Sequence, residues 1–357
     1  MLTTTRNLQK YFGKLFPGDY VYHLEDIPKI TEAPKHPDTF GLLDKNKFHI
    51  FDVSDEPWSA QMAIDIDQIC QTQTDLKYVV LSHSVTFINN AYLPNIVYFP
   101  HNYYDPAVYW TPLPDSQVGN TDRKYFVSCL NRIPRYFRIY NYFMLHQRVY
   151  YINKMLLTLC NIDDAFNLLN KEDYKSKFET EIIDYWEALK DQLPTYVVND
   201  LDINHPAYYD SYINLVTETN IELGNSFFSE KIWKPIASGQ LFLLIGNPGS
   251  IDLLRQMGFD VFDDIIDHNR YDYICDWRQR IDTIHQILDE LYGLNWDKIY
   301  KETYTRRKKN IELFFSVNPI KLYSEEVARR ISIISGTTVT YNHSALKSLQ
   351  KYHTMRA

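Results

Sequence analysis

The stretch from Tyr212 to Gly246 constrains this chain more than any other. An apolar run, Tyr212-Ile213-Asn214-Leu215-Val216, ends in the polar turn Thr217-Glu218-Thr219-Asn220. Further on, Ser229 stands as a helix cap before Glu230-Lys231-Ile232-Trp233, and the helical pattern stops at Gly239. The apolar run Leu241-Phe242-Leu243-Leu244-Ile245 follows at once and reads as a buried strand. Strand, capped helix and strand in this order make one unit of a parallel α/β sheet.

The same alternation recurs elsewhere. Phe48 to Val53, Tyr78 to Leu81 and Ile96 to Phe99 read as strands, each ending in polar residues, with Trp58 to Thr72 a helix between the first two. Open α/β sheets bind ligands at the carboxyl ends of their strands, where these polar residues gather. A loop holding Pro112, Pro114, Gly119 and Asn120 marks a domain boundary. Tyr125 to Leu130 is the next strand, and Asn131 to Arg138 leads into an aromatic-rich helix running towards His146. Residues from about 155 to 194 read as a helical insertion. Strands resume at Thr195 to Val198, Tyr212 to Val216, Leu241 to Ile245 and Asp260 to Phe262, with helices over Phe228 to Ser238 and Ile251 to Met257. A helical region from about Trp296 to Ile334 closes the pattern. The expected fold is α/β: two Rossmann-like, doubly wound domains, 1–118 and 119–335, facing across a cleft, with a tail over 336–357. A length of 357 residues suits two domains.

Composition narrows the function. The 29 Tyr and 19 Phe include loop-like clusters such as Asn102-Tyr103-Tyr104-Asp105 and Pro206-Ala207-Tyr208-Tyr209, which suit stacking on sugars or bases and equally suit a half-buried surface. A formal net charge of −8 gives no support to binding by phosphate neutralisation. The local basic runs are Arg306-Arg307-Lys308-Lys309 and the tail residues Lys347, Lys351 and Arg356; a run of this size is ordinarily a solvated helix face. Four cysteines, at 70, 129, 160 and 275, form no Cys-x-x-Cys pair, which excludes a zinc ribbon and gives no disulfide framework. With no run of about 18 apolar residues and no apolar signal core at the start, membrane anchoring is not expected and a cytoplasmic location is.

The helix opening at Glu230 has the chemistry a nucleoside diphosphate needs. Its free N–H groups and positive dipole end suit phosphate. Lys231 adds a point charge, Glu230 accepts from ribose hydroxyls, and Phe227 or Phe228 offers a ring for the base. Taken alone, Glu230 and Lys231 fit the surface of an amphipathic helix equally well.

A longer pattern adds to this: Glu218-x-Asn220, then Phe228-Ser229-Glu230-Lys231-Ile232-Trp233-x-Pro235-x-Ala237-x-Gly239, an apolar strand and Gly246. It resembles the donor-binding signature of fucosyltransferase-like GT-B glycosyltransferases. It is also similar to uncharacterised glycosyltransferase-like proteins of phages and marine bacteria, which share Asn247-Pro248-Gly249-Ser250, Leu253 to Asp263, and Leu130-Asn131-Arg132-x-Pro134-Arg135-x-x-Arg138. The likeness spans about 120 to 270. It implies a GT-B fold, a nucleotide-sugar donor as substrate, and metal-independent transfer to a hydroxyl of a glycan or of modified DNA. No cofactor is implied, and the setting would be a bacterial cell or a phage-infected host. By match, Lys231 contacts the diphosphate, Glu230 the ribose and Phe228 the nucleoside, with Glu218 and Asn220 at the end of the donor strand. Arg132, Arg135 and Arg138 supply a second clamp, Arg135 foremost, with Arg138 further along the helix at a surface position. Such cations offset the charge that builds on the departing β-phosphate. No glycan-acceptor signature stands near the start, so fucose is not implied.

The acceptor hydroxyl needs a general base, expected on the N-terminal domain. Asp55, Glu56 and His83 lead, with Asp52, His101 and Asp105 behind them. Three other readings stay open. One is a metal-dependent GT-A enzyme using Asp200-Leu201-Asp202, which has better context than the helical Asp65-Ile66-Asp67. Another is a non-catalytic sugar- or nucleotide-binding protein of the same fold. The third is a phage transferase placing arabinose or glucose on hydroxymethylated bases, for which the basic runs would hold DNA.

Overall fold

The computed structural model describes residues 20–22, 48–53, 77–82, 96–100, 110–131, 135–159, 180–189, 203–219, 221, 228–316, 329 and 332. The chain divides into two compact units, one of Met1–Trp110, Gly224–Ser229 and Ser316–Ala357, the other of Thr111–Leu223 and Glu230–Phe315.

In the first unit, β1 (Tyr20–Tyr22), β2 (Phe48–Val53), β3 (Lys77–Ser82) and β4 (Ile96–Pro100) form a parallel sheet. The strands expected from Phe48, Tyr78 and Ile96 are all present. Their order is β1-β2-β3-β4. A doubly wound sheet needs a strand order that turns back on itself. Among the described strands of this unit the order does not turn back.

The second unit has that reversal. Its strands β5 (Tyr125–Asn131), β6 (Met155–Leu159), β7 (Ser211–Thr217) and β8 (Leu241–Ile245) are all parallel, in the order β6-β5-β7-β8. The chain steps outward from β5 to β6, then returns past β5 to lay down β7 and β8. The switch point therefore lies between β5 and β7. Every residue of β7 and β8 is buried, as parallel strands covered on both faces require.

Around the sheet lie α1 (Asp115–Val118), α2 (Tyr136–His146), α3 (Thr180–Leu189), α4 (Pro206–Tyr209), α5 (Glu230–Ser238), α6 (Ser250–Gln256), α7 (Trp277–Tyr292), α8 (Trp296–Glu302) and α9 (Tyr304–Ser316). Adjacent strand residues show that helices cover both faces. Ser128 Oγ donates to the Ala207 carbonyl of α4 at 2.9 Å, while Cys129, next in sequence, accepts at Sγ from Asn141 of α2. Neighbouring side chains on a strand point to opposite faces, so α4 and α2 lie on opposite sides. Helix α5 packs on β7 and β8, and α7 packs on α2 and β8. Among the described residues no helix is long and apolar enough to cross a membrane.

Two local expectations change. Met155–Leu159, the start of the stretch read as helical, is the edge strand β6. Asp260 to Phe262 is not a strand: the Val261 carbonyl pairs with His268 Nε2 at 2.9 Å, and Phe262 turns with φ at 62°. Its hydrogen bonds go to side chains and, from the Phe262 carbonyl, to the N–H groups of Ile265 and Ile266, rather than to a neighbouring strand. The stop at Gly239 stands where the sequence puts it. Gly239 has φ at +65°, the left-handed ending that glycine supplies, and a Cβ there would meet Ile311 Cδ1 at 2.8 Å.

Candidate functional site

The carboxyl ends of β5, β6 and β7 are laced by side chains. Thr217 Oγ1 donates to Asn131 Oδ1, and the Asn131 N–H donates to Thr158 Oγ1 at 3.2 Å. Over these residues opens a hollow of about 510 Å³, its solvent-facing mouth included. Asn131, Thr158, Asn214 and Thr217 of the sheet, Glu230, Lys231 and Lys234 of α5, and Tyr208 line it. This is the switch point, the place where open α/β sheets bind ligands because neighbouring crossovers part there.

Helix α5 brings its first turn to the hollow. Lys231 Nζ lies 2.8 Å from Glu230 Oε1 and 3.2 Å from Thr219 Oγ1, just past the end of β7. Both side chains of the ion pair keep some solvent contact, at 26% and 32% exposure. Burial alone would raise the Glu230 pKa, but the charges of Lys231 and Lys234 and the hydrogen bond from Lys231 outweigh it. They hold the carboxyl at about 2. Its stabilising charge is thus complete above the ordinary value of 4.5 and lost as pH falls from 4.5 through about 2. Comparing wild type with Glu230→Gln by denaturant melts across pH is expected to give a constant difference above pH 5 and a shrinking one below it. A difference that already changes between pH 7 and 5 would sink this account.

Lys234 is the residue that the sequence pattern passed over. It is only 4% exposed, and its ammonium lies 5.9 Å from the centroid of the Tyr208 ring. The signal was its place four residues after Glu230, on the same helix face.

The other expected residues fall in different places. Glu218 is fully buried, its Oε2 accepting from the Thr219 N–H at 3.3 Å, and it does not line the hollow. Phe228 is 1% exposed, with no solvent-facing ring surface. Arg135 stands just before α2 and near Arg138, with its Nε buried and without a hydrogen-bond partner among the described residues. Arg138 is not the surface residue expected. It is 2% exposed, and its Nη2 donates to the Thr217 and Glu218 carbonyls at 3.0 and 2.9 Å, past the end of the β7 ladder. Burial pushes its pKa down to about 10, the nearby Arg135 adding to this, so it stays charged at neutral pH. Arg132 and Asn220 lie outside the described residues, as do Asp55, Glu56, His83, His101, Asp105, Asp200, Asp202, the Asp65–Asp67 pair and the side chain of Asp52.

Two features that imitate anion sites are closed by the protein's own groups. The turn Gly246-Asn247-Pro248-Gly249 delivers the start of α6, but the Asp272 carboxylate already accepts from the N–H groups of Ile251 and Asp252, at 3.0 and 3.2 Å. The run Arg306 to Lys309, read as a solvated face, is mostly engaged internally. Arg306 forks onto Asp260 and Asp264, Arg307 is fully buried on backbone carbonyls, and Lys308 pairs with Asp115 at 3.1 Å. The chain is α/β with parallel sheets, and its second unit carries a polar, two-lysine hollow at a switch point. No protein-family model matches the chain, and no curated protein does.

Proposed function

We propose that the chain is a glycosyltransferase of GT-B type that moves a sugar from a nucleoside diphosphate to a hydroxyl acceptor without a metal. The observation that carries this reading is the placing of Glu230, Lys231 and Lys234, on one turn of α5, in the wall of the switch-point hollow. The bond between the anomeric carbon and the β-phosphate oxygen breaks, leaving negative charge on the diphosphate. Lys231, with Arg135 in the second clamp that the resemblance implies, offsets that charge. The ionised Glu230 accepts from the ribose hydroxyls. The acceptor oxygen bonds the anomeric carbon, and its proton passes to a carboxylate or imidazole of the first unit, for which Asp55, Glu56 and His83 are proposed. A DNA acceptor draws no support from the run at Arg306, whose first three members are engaged within the fold.

Thermal melts with GDP, UDP, ADP, CDP and dTDP, with and without EDTA, test the reading. One diphosphate at a hundred times its dissociation constant is expected to add about 2.7 kcal/mol of stability to the wild type. Lys231→Ala is expected to lose most of that gain, and EDTA to leave it alone. Stabilisation by no nucleotide, or only with a metal and regardless of Lys231, would remove the proposal. Hydrolysis of the matching nucleotide sugar without added acceptor then separates an enzyme from a binding protein.

A further inference from the structure

We propose that Lys234 is the specificity-determining residue of the hollow, selecting a ligand that presents an acceptor oxygen beside Tyr208. The inference rests on the nucleotide reading and deepens it.

A lysine at 4% exposure is costly unless its charge is used, because an ammonium taken from water loses its hydration. Its neighbours on α5, Trp233, Pro235 and Ile236, are all buried, so an apolar side chain would suit helix packing at this position better. The charge faces Glu230, one turn earlier, whose carboxyl pairs with Lys231 and is kept ionised by both lysines. Like Lys231 and the acceptor-only Glu230 on the same helix, the ammonium has fixed polarity, which the amides and hydroxyls of the sheet residues lack. The amides of Asn131 and Asn214 and the hydroxyls of Thr158 and Thr217 can each donate or accept. The ammonium of Lys234 has three donors and no acceptor, so an amino group set against it leaves two donors facing each other. A buried donor left unmatched costs more than the matched bond gains, which is how polar pockets reject near-isosteric ligands.

Within a nucleoside diphosphate, two kinds of group carry an acceptor-only oxygen that suits this test: the base oxygen at the position where cytosine and adenine carry an amino group, O4 of uracil or O6 of guanine, and the phosphates. Both meet the same requirement, and binding measurements separate them. Dissociation constants of UDP, GDP, CDP, ADP and inorganic pyrophosphate are measured by calorimetry for wild type, Lys234→Met and Lys234→Arg. The methionine keeps the length and helix preference of the side chain while removing charge and donors, and a cooperative apo melt verifies that it folds. Lys234→Met is expected to weaken binding roughly 10- to 150-fold, the range of a charged hydrogen bond, and Lys234→Arg to retain most of it. A loss confined to UDP and GDP, with wild type preferring them over CDP and ADP, assigns that base oxygen. An equal loss over all nucleotides and pyrophosphate assigns the phosphate. Unchanged constants for Lys234→Met, while wild type binds a nucleotide and Lys231→Ala does not, would overturn this inference and leave the nucleotide site standing. A wild type that binds none of the five ligands overturns both.

Discussion

Replacing Arg138 with alanine is expected to lower the stability of the chain by about 3–5 kcal/mol and to weaken nucleotide binding with it. The guanidinium is buried and bonds the carbonyls of Thr217 and Glu218, where β7 has run out of ladder partners. Alanine leaves those two acceptors in a dry interior and removes a positive charge that interacts with the buried Glu218. The turn they fix carries Thr219, whose hydroxyl accepts from Lys231, so loosening it also misplaces the lysine of the site. At 2–4 °C per kcal/mol, the melting temperature should fall by roughly 6–20 °C. Arg138→Lys is expected to recover only part of this, since a single ammonium cannot reproduce the planar fork. A melt of Arg138→Ala within a degree of wild type would return Arg138 to the surface role its sequence position implies.

A loss of similar size, about 3–5 kcal/mol, is expected for Arg307→Ala, whereas Lys309→Ala two positions away should stay within about 0.5 kcal/mol. Arg307 is fully buried and donates to the carbonyls of Val118, Gly239 and Tyr300 at 2.8, 3.0 and 2.8 Å. Its guanidinium also lies 4.2 Å from the centroid of the Tyr300 ring, and Arg123 lies 4.3 Å from the same ring. The Gly239 carbonyl belongs to the left-handed turn that ends α5, so this arginine ties the helix of the site to α9. Denaturant melts of the two variants check the contrast. Equal and small effects would restore the picture of a solvated basic face.

The candidate site was partly legible before any fold was known. Glu230, Lys231 and the stop at Gly239 could be read because a helix start and a helix end are written in residues close together. Lys234 was passed over because a lysine in a helix usually means solvent, and nothing nearby in sequence says that it lines one hollow with Asn214 and Tyr208. His268 gives the same lesson in the core: it bonds Tyr271 Oη at 2.6 Å and the Val261 carbonyl at 2.9 Å, and burial pushes its pKa down to about 4. That pairing is what turns Val261 and Phe262 away from the strand their apolar pattern suggests.

By itself the sequence determined most of the segments that become parallel strands, though not Tyr20–Tyr22 or Met155–Leu159. It also determined where α5 begins and ends, and that its first turn carries a carboxylate beside a lysine. These follow from interactions between residues a few positions apart, which periodicity and capping record. Only the tertiary structure decided that the strand order reverses in the second unit and not among the described strands of the first, and that Arg138, Lys234 and Arg307 are buried. A strand's apolar pattern is the same on either side of its neighbour, and the period of a helix names a face without naming what covers it. Burial of a charge depends on acceptors far away in the chain, here the carbonyls of Thr217, Glu218, Val118 and Gly239, and their distances come into being only when the sheet is assembled.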